Sequence, residues 1–204
     1  MVALLHNSKK RFYECLAKNI LETFVPEEYS NLILSDKPDL RMGEGVGIEV
    51  TRVLLDGAGQ ASGIFEHIRG KGQFDPRYVG TLNSLDYGLL YVNGKVEGYG
   101  PNKACIVDNE PLKREFMKKV NKQYDLPQVD LFMFSPMTNW FEEVLIDDFM
   151  QWTNGIQGIK FRRIMVFETV TLYICDTSCH SLRMINVDHD GFLACVETAQ
   201  NHAY

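Results

Sequence analysis

A glutamate inside an apolar strand constrains this chain more than any other feature. Gly47-Ile48-Glu49-Val50-Thr51 has the composition of a buried strand, with one charge at its centre. Such a charge is rarely kept unless it is paired or bound to a metal. The preceding segment Leu32-Ile33-Leu34 is a short apolar strand. Ser35 to Gly45 reads as a loop in which Gly43 and Gly45 allow a tight return. Val46 to Leu55 is then the returning strand. Side chains alternate along it, so Glu49 and Thr51 share one face while Ile48, Val50 and Arg52 take the other. Asp39 falls at the start of this hairpin, and two carboxylates so placed can converge on one divalent metal.

The rest of the chain supplies elements to pack around that hairpin. Phe12, Leu16, Ile20 and Phe24 recur every four residues and predict a first helix over 8–24, with Ser8 as N-cap and Pro26 as its stop. Asp56 to Gly63 is glycine-rich before a helix over about 60–69, but Gly57 and Gly59 fall short of a dinucleotide or P-loop spacing. Leu89 to Tyr99 reads as a hairpin about Asn93-Gly94. Leu112, Phe116, Val120 and Tyr124 make a helical stripe over 111–124. On a helical wheel Lys113 and Lys119 flank that stripe. Val129 to Phe134 is an apolar strand, and a helix is expected from about 139 or 141 to Trp152. Strands follow over 162–169 and 171–176, then a hairpin over 186–196 around Asp188-His189-Asp190-Gly191. Trp140, Phe141, Phe149 and Trp152 read as core aromatics.

Composition removes several classes of function. The formal net charge of −6 argues against tight, non-specific nucleic-acid binding, though it permits a local basic rim. Five cysteines, odd in number and without a Cys-x-x-Cys pair, suit reduced thiols. Cys175, Cys179, His180 and His189 match no common zinc spacing. No Gly-x-Ser-x-Gly occurs, which leaves out a nucleophile elbow. No apolar run reaches the ~18 residues of a membrane span, and the N-terminus lacks the pattern of a signal peptide. A cytoplasmic location without membrane attachment is the expectation. The expected architecture is one α/β domain over 1–204: a mixed sheet flanked by helices, with a core at about 8–55 and 111–176 and an insertion at about 56–110.

The order helix, strand, strand bearing Glu, insertion, helix, strand resembles the PD-(D/E)xK nuclease superfamily, the restriction-endonuclease-like fold. The matching residues are Pro38-Asp39 and Gly47-Ile48-Glu49-Val50-Thr51. The latter form also resembles that of uncharacterised bacterial members. The resemblance implies Mg²⁺, or Mn²⁺, held by Asp39 and Glu49, with the Val50 carbonyl as a further oxygen. It implies hydrolysis of phosphodiester bonds in nucleic acid, and a first-helix acid joining the pair. Glu14 is the first choice for that acid, with Glu22 the alternative. The family's lysine two positions after the Glu is replaced by Thr51, which carries no charge. Some members supply the lysine from the following helix, which points to Lys119 first and Lys113 second.

Two other readings compete. Asp39 can cap its turn and Glu49 can pair with Arg41, Arg52 or a helix lysine, making both structural. The chain would then be a catalytically inactive nuclease-fold protein acting as a partner-binding or accessory module. A homodimer or a protein partner fits that alternative.

Overall fold

The computed structural model describes residues 2–55, 57–71, 76–85, 87–92, 95–101, 109–135, 142–168 and 170–203. They fall into two compact units. The first takes residues 1–53, 109–136 and 141–204; the second takes 54–108 and 137–140.

The first unit is a seven-stranded mixed sheet with helices against it. Helix α1 (Val2–Phe24) leads into β1 (Ile33–Leu34), β2 (Leu40–Met42) and β3 (Val46–Arg52). After the second unit come α4 (Glu110–Val120), β6 (Gln128–Phe134), α5 (Glu142–Asn154), β7 (Phe161–Glu168), β8 (Thr171–Asp176), β9 (Ser181–Asn186) and α6 (His189–Ala203). Neighbours in the sheet run β1-β2-β3-β6-β7-β8-β9. The central strands β3, β6 and β7 are parallel, and the outer pairings are antiparallel. A parallel pair needs a crossover, and α4 lies in the one between β3 and β6.

One face of the sheet carries Ile48, Val50, Phe132, Phe134, Met165 and Phe167. These pack with Leu16, Ile20 and Leu21 of α1 and Cys195 and Ala199 of α6 in one apolar core. The stripe expected on the first helix is therefore its buried face. On the other side of the sheet Phe116 of α4 meets Phe149 and Trp152 of α5 and Phe161 of β7, with centroids 5.9 to 6.1 Å away. Trp140 and Phe141 lie outside the described residues.

The second unit holds α2 (Ala58–Lys71), α3 (Pro76–Ser84) and the hairpin β4 (Tyr87–Val92) and β5 (Lys95–Pro101). Ala61, Leu82 and Tyr87 form its small core. The Asn93-Gly94 turn lies outside the described residues. Gly57 takes φ +77° just before α2, and a Cβ there would stand 3.1 Å from Leu85. Turn geometry and packing account for this glycine without a ligand.

Several local expectations are corrected. Ser8 lies inside α1, so it is not the cap. The loop over 35–45 contains β2, because Leu40 turns inward to the core and pairs with Ile48. Helix α4 ends at Val120 with Asn121 as C-cap, so Tyr124 lies on the following loop and is not the last residue of a helical stripe. Residues 186–196 are not a hairpin. Asp188 Oδ1 accepts the Gly191 N–H at 2.8 Å and its carbonyl accepts that of Phe192 at 2.9 Å. The Asp-Gly signal here is a helix N-cap with its third residue, not a β-turn.

Candidate functional site

The site is built where β2 stops pairing with β3. Leu40 is the last β2 residue opposite β3, at Ile48; the same register carried on would set Asp39 against Glu49 and Pro38 against Val50. Proline has no N–H to give a ladder. The Asp39 carboxylate takes over, with Oδ2 accepting the Val50 N–H at 2.8 Å. The main-chain N–H and C=O of one strand residue point to the same side. The Val50 carbonyl therefore lies on the Asp39 side of β3. Gly47 makes the close approach possible: a Cβ there would meet Pro38 Cγ at 2.2 Å and Leu126 Cδ1 at 2.7 Å.

Asp39 and Glu49 are each 3% exposed. Asp39 Oδ1 is 3.1 Å from Lys10 Nζ, and the same ammonium is 3.1 Å from Glu14 Oε1. Lys10 stands one helical turn before Glu14, so α1 presents both to Asp39. Glu49 Oε1 accepts from Lys119 Nζ and from Lys122 Nζ, each at 2.6 Å. Lys119 comes from the last turn of α4 and Lys122 from the loop beyond it. Three carboxylates thus stand among three ammoniums.

Of the two first-helix acids, Glu14 joins the site and Glu22 does not. Glu22 pairs with Lys18, and its Oε1 accepts the Leu32 N–H at 2.6 Å. Of the two lysines, Lys119 reaches Glu49. Lys113 is bonded to Glu110 at 2.8 Å, with its ammonium 5.6 Å from the Trp152 ring centroid. Neither arginine considered for Glu49 pairs with it. Arg41 donates to the Lys37 carbonyl at 2.8 Å, and Arg52 stacks 4.3 Å over Tyr13. Thr51 is buried on the Glu49 face and adds no charge. Sequence reading missed Lys10, Lys122 and Tyr124, whose phenol is pushed up by burial and then by the charge and hydrogen bond of the neighbouring Glu49. The i,i+4 spacing of Lys10 and Glu14 is a usable signal; nothing local marks the other two.

The two outer acids titrate in opposite directions. Burial alone would push Glu49 up, but Lys119 and then Lys122 overcome it and hold the carboxyl below the ordinary Glu value of 4.5. Burial pushes Glu14 up; Lys10 opposes this and the charge of Asp39 adds to it. Burial also works against the charge of Lys10, yet Asp39 and Glu14 keep its ammonium protonated above the usual range. A depressed carboxyl contributes stability above its unfolded pKa and loses it as pH falls through the folded one; a raised carboxyl does the reverse. The stability advantage of wild type over Glu49→Gln is therefore expected to shrink as pH falls below 4.5. Relative to Glu14→Gln, wild type is expected to lose stability as pH rises above 4.5. Urea unfolding of the three proteins across pH 3 to 7, a span of roughly that order around carboxylate titration, checks both signs.

The donors suit a hard cation. Mg²⁺ takes oxygen ligands, usually one or two carboxylates with water and phosphate oxygens. Asp39, Glu49 and the Val50 carbonyl are of that kind. Among the described residues no three His, Cys, Asp or Glu side chains are grouped as a metal site. The zinc set weighed from sequence is thus not assembled; Cys175 is buried and Cys179 exposed, both as free thiols. Comparison with family models, curated proteins and solved structures gives no match. Among the described residues no helix is long and apolar enough to cross a membrane.

Proposed function

We propose that this chain is a metal-dependent nuclease with a restriction-endonuclease-like core, hydrolysing phosphodiester bonds in nucleic acid. The observation that carries this reading is the 2.6 Å contact of Lys119 with Glu49. A lysine from the following helix stands beside the strand glutamate whose own second neighbour is Thr51. The order α1, three strands, α4, β6, with β3 parallel to β6, also suits the reading.

In this proposal Asp39, Glu49 and the Val50 carbonyl hold Mg²⁺ or Mn²⁺. The bound cation would acidify a water and offset charge on the phosphate. Glu14, whose carboxyl burial pushes up, shares the Lys10 ammonium with Asp39 and is the third acid. Lys119 supplies positive charge to the phosphate as negative charge builds there. Lys10 and Lys122 are the more exposed cations, at 58% and 43% of side-chain area, and make a basic rim in a chain of net charge −6. Such a rim draws a polyanion to the acids.

One observation favours the inactive, partner-binding alternative. Asp39 and Glu49 already have ammonium partners, so a cation must compete with Lys10, Lys119 and Lys122. Calorimetric titration of Mg²⁺ and Mn²⁺ into wild type and Glu49→Ala separates the readings. The nuclease reading predicts saturable binding by wild type and at least a tenfold loss in Glu49→Ala, about 1.4 kcal/mol. Absence of binding in both proteins would leave the carboxylates structural and favour the partner module.

A further inference from the structure

Strand β9 ends the sheet, and β8 is its only strand neighbour among the described residues. At the opposite end the edge strand β1 is only two residues long. A long edge is usually guarded by charge, proline or a bulge, because its open N–H and C=O groups invite another strand. β9 runs six residues, Ser181–Asn186, holds its register with β8 throughout and contains no proline. Its one charged residue, Arg183, is ion-paired with Glu28.

The ladder fixes which groups face outward. The Val187 N–H donates to the Val170 carbonyl at 2.7 Å, in step with the β8–β9 register. Bonded pairs alternate along antiparallel strands, so Ile185, Arg183 and Ser181 bond to β8. The N–H and C=O of Leu182, Met184 and Asn186 therefore point away from it. Arg183 and Ile185 lie opposite Ile174 and Leu172, on the core face. Leu182, Met184 and Asn186 take the other face. Met184, at the centre of the outward set, is 53% exposed.

The outward set is symmetric about Met184. A second copy turned about a twofold axis through that residue would set Met184 against Met184 and Leu182 against Asn186. Every outward amide and carbonyl of the strand then meets an outward one, and Arg183 falls opposite Ile185. An axis at Arg183 would leave Asn186 without a strand partner and bring two arginines together. An axis at Ile185 would leave Leu182 without one. The edge thus fits its own copy in a single register, and closed twofold pairing is the commonest form of self-association.

We propose that two copies of this chain pair antiparallel through β9, about Met184, and join their sheets into one. The proposal does not depend on the nuclease reading. Sedimentation equilibrium of wild type, Met184→Lys and Leu193→Lys tests it. Met184→Lys sets like charges directly opposite at the axis and removes no bond to β8. Leu193, on α6 and 50% exposed, controls for apolar surface elsewhere. The expected result is a dimer for wild type and Leu193→Lys, weakened about tenfold or more in Met184→Lys, with equal urea midpoints. Amide hydrogen exchange of wild type is the second measurement. Exchange at Met184 should quicken on dilution, whereas Arg183 and Ile185, bonded to β8, stay protected. A dimer undiminished in Met184→Lys, or one lost in Leu193→Lys, would place the interface elsewhere and overturn the proposal. A wild-type monomer with a fast-exchanging Met184 amide at every concentration would overturn it too, leaving the edge to a strand of another protein or to none. If Met184→Lys fails to fold, the exchange of wild type decides.

Discussion

Replacing Lys119 by Met is expected to lower the single-turnover cleavage rate by about 10²–10³, the loss that follows removal of one preorganised charge donor. Lys119 is 16% exposed, and its ammonium is 2.6 Å from Glu49 Oε1. Methionine keeps most of the apolar stem, so the change removes charge with little loss of packing. Lys122 remains on the same oxygen, so Glu49 keeps a partner and the fold should persist. The companion variant is Lys113→Met on the same helix. Lys113 is bonded to Glu110, so this change should leave the rate within about twofold, the scale of an exposed pair. Rapid-quench cleavage with equal urea midpoints for the three proteins is the measurement. A wild-type rate in Lys119→Met would remove lysine from the proposed chemistry.

Replacing Asp130 by Ala is expected to cost about 3–5 kcal/mol of folding stability, as when one partner of a buried ion pair is deleted. Asp130 is fully buried in β6. Its Oδ1 accepts from Arg162 Nε at 2.9 Å, and its Oδ2 accepts from Arg162 Nη2 at 2.6 Å and from the Tyr29 hydroxyl at 2.7 Å. Truncation leaves a half-buried guanidinium and a buried hydroxyl without their acceptor. Asp130 pairs in register with Ile48, so its side chain lies on the face opposite Glu49. The folded fraction should therefore cleave at the wild-type rate. Urea unfolding should show a lower midpoint at an unchanged m value. A midpoint within about 0.5 kcal/mol of wild type, the scale of a surface change, would contradict this account.

Asp130 also shows where sequence reasoning stopped. The rule that singled out Glu49, a charge within an apolar strand, applies equally to Asp130, which was read only as part of an apolar strand. Sequence cannot separate a strand acid that serves a site from one that serves the fold, because the difference lies in the partners. Asp130 has a bidentate arginine and a tyrosine, and both of its oxygens are taken. Glu49 gathers two lysines on one oxygen beside an open main-chain edge.

The central strands were legible because β3, β6 and β7 are near-continuous apolar runs, and α1 because its stripe is regular. β9 was not, since it is an edge strand with an exposed, mixed composition. Helix α6 was hidden by its cap, which looks like a hairpin turn. Asp39, Glu49, Glu14 and Lys119 were named from pattern and family resemblance, and the fold brings them together in one cluster. Lys122 and Tyr124 were not, because both depend on where α4 ends and how the next loop folds back.

The most direct test of the account is cleavage of supercoiled plasmid and single-stranded DNA by wild type and Glu49→Ala, with Mg²⁺ or Mn²⁺ and with chelator. The nuclease account predicts metal-dependent cutting by wild type that is lost on chelation and in Glu49→Ala. Cutting that survives Glu49→Ala in a folded protein would contradict it.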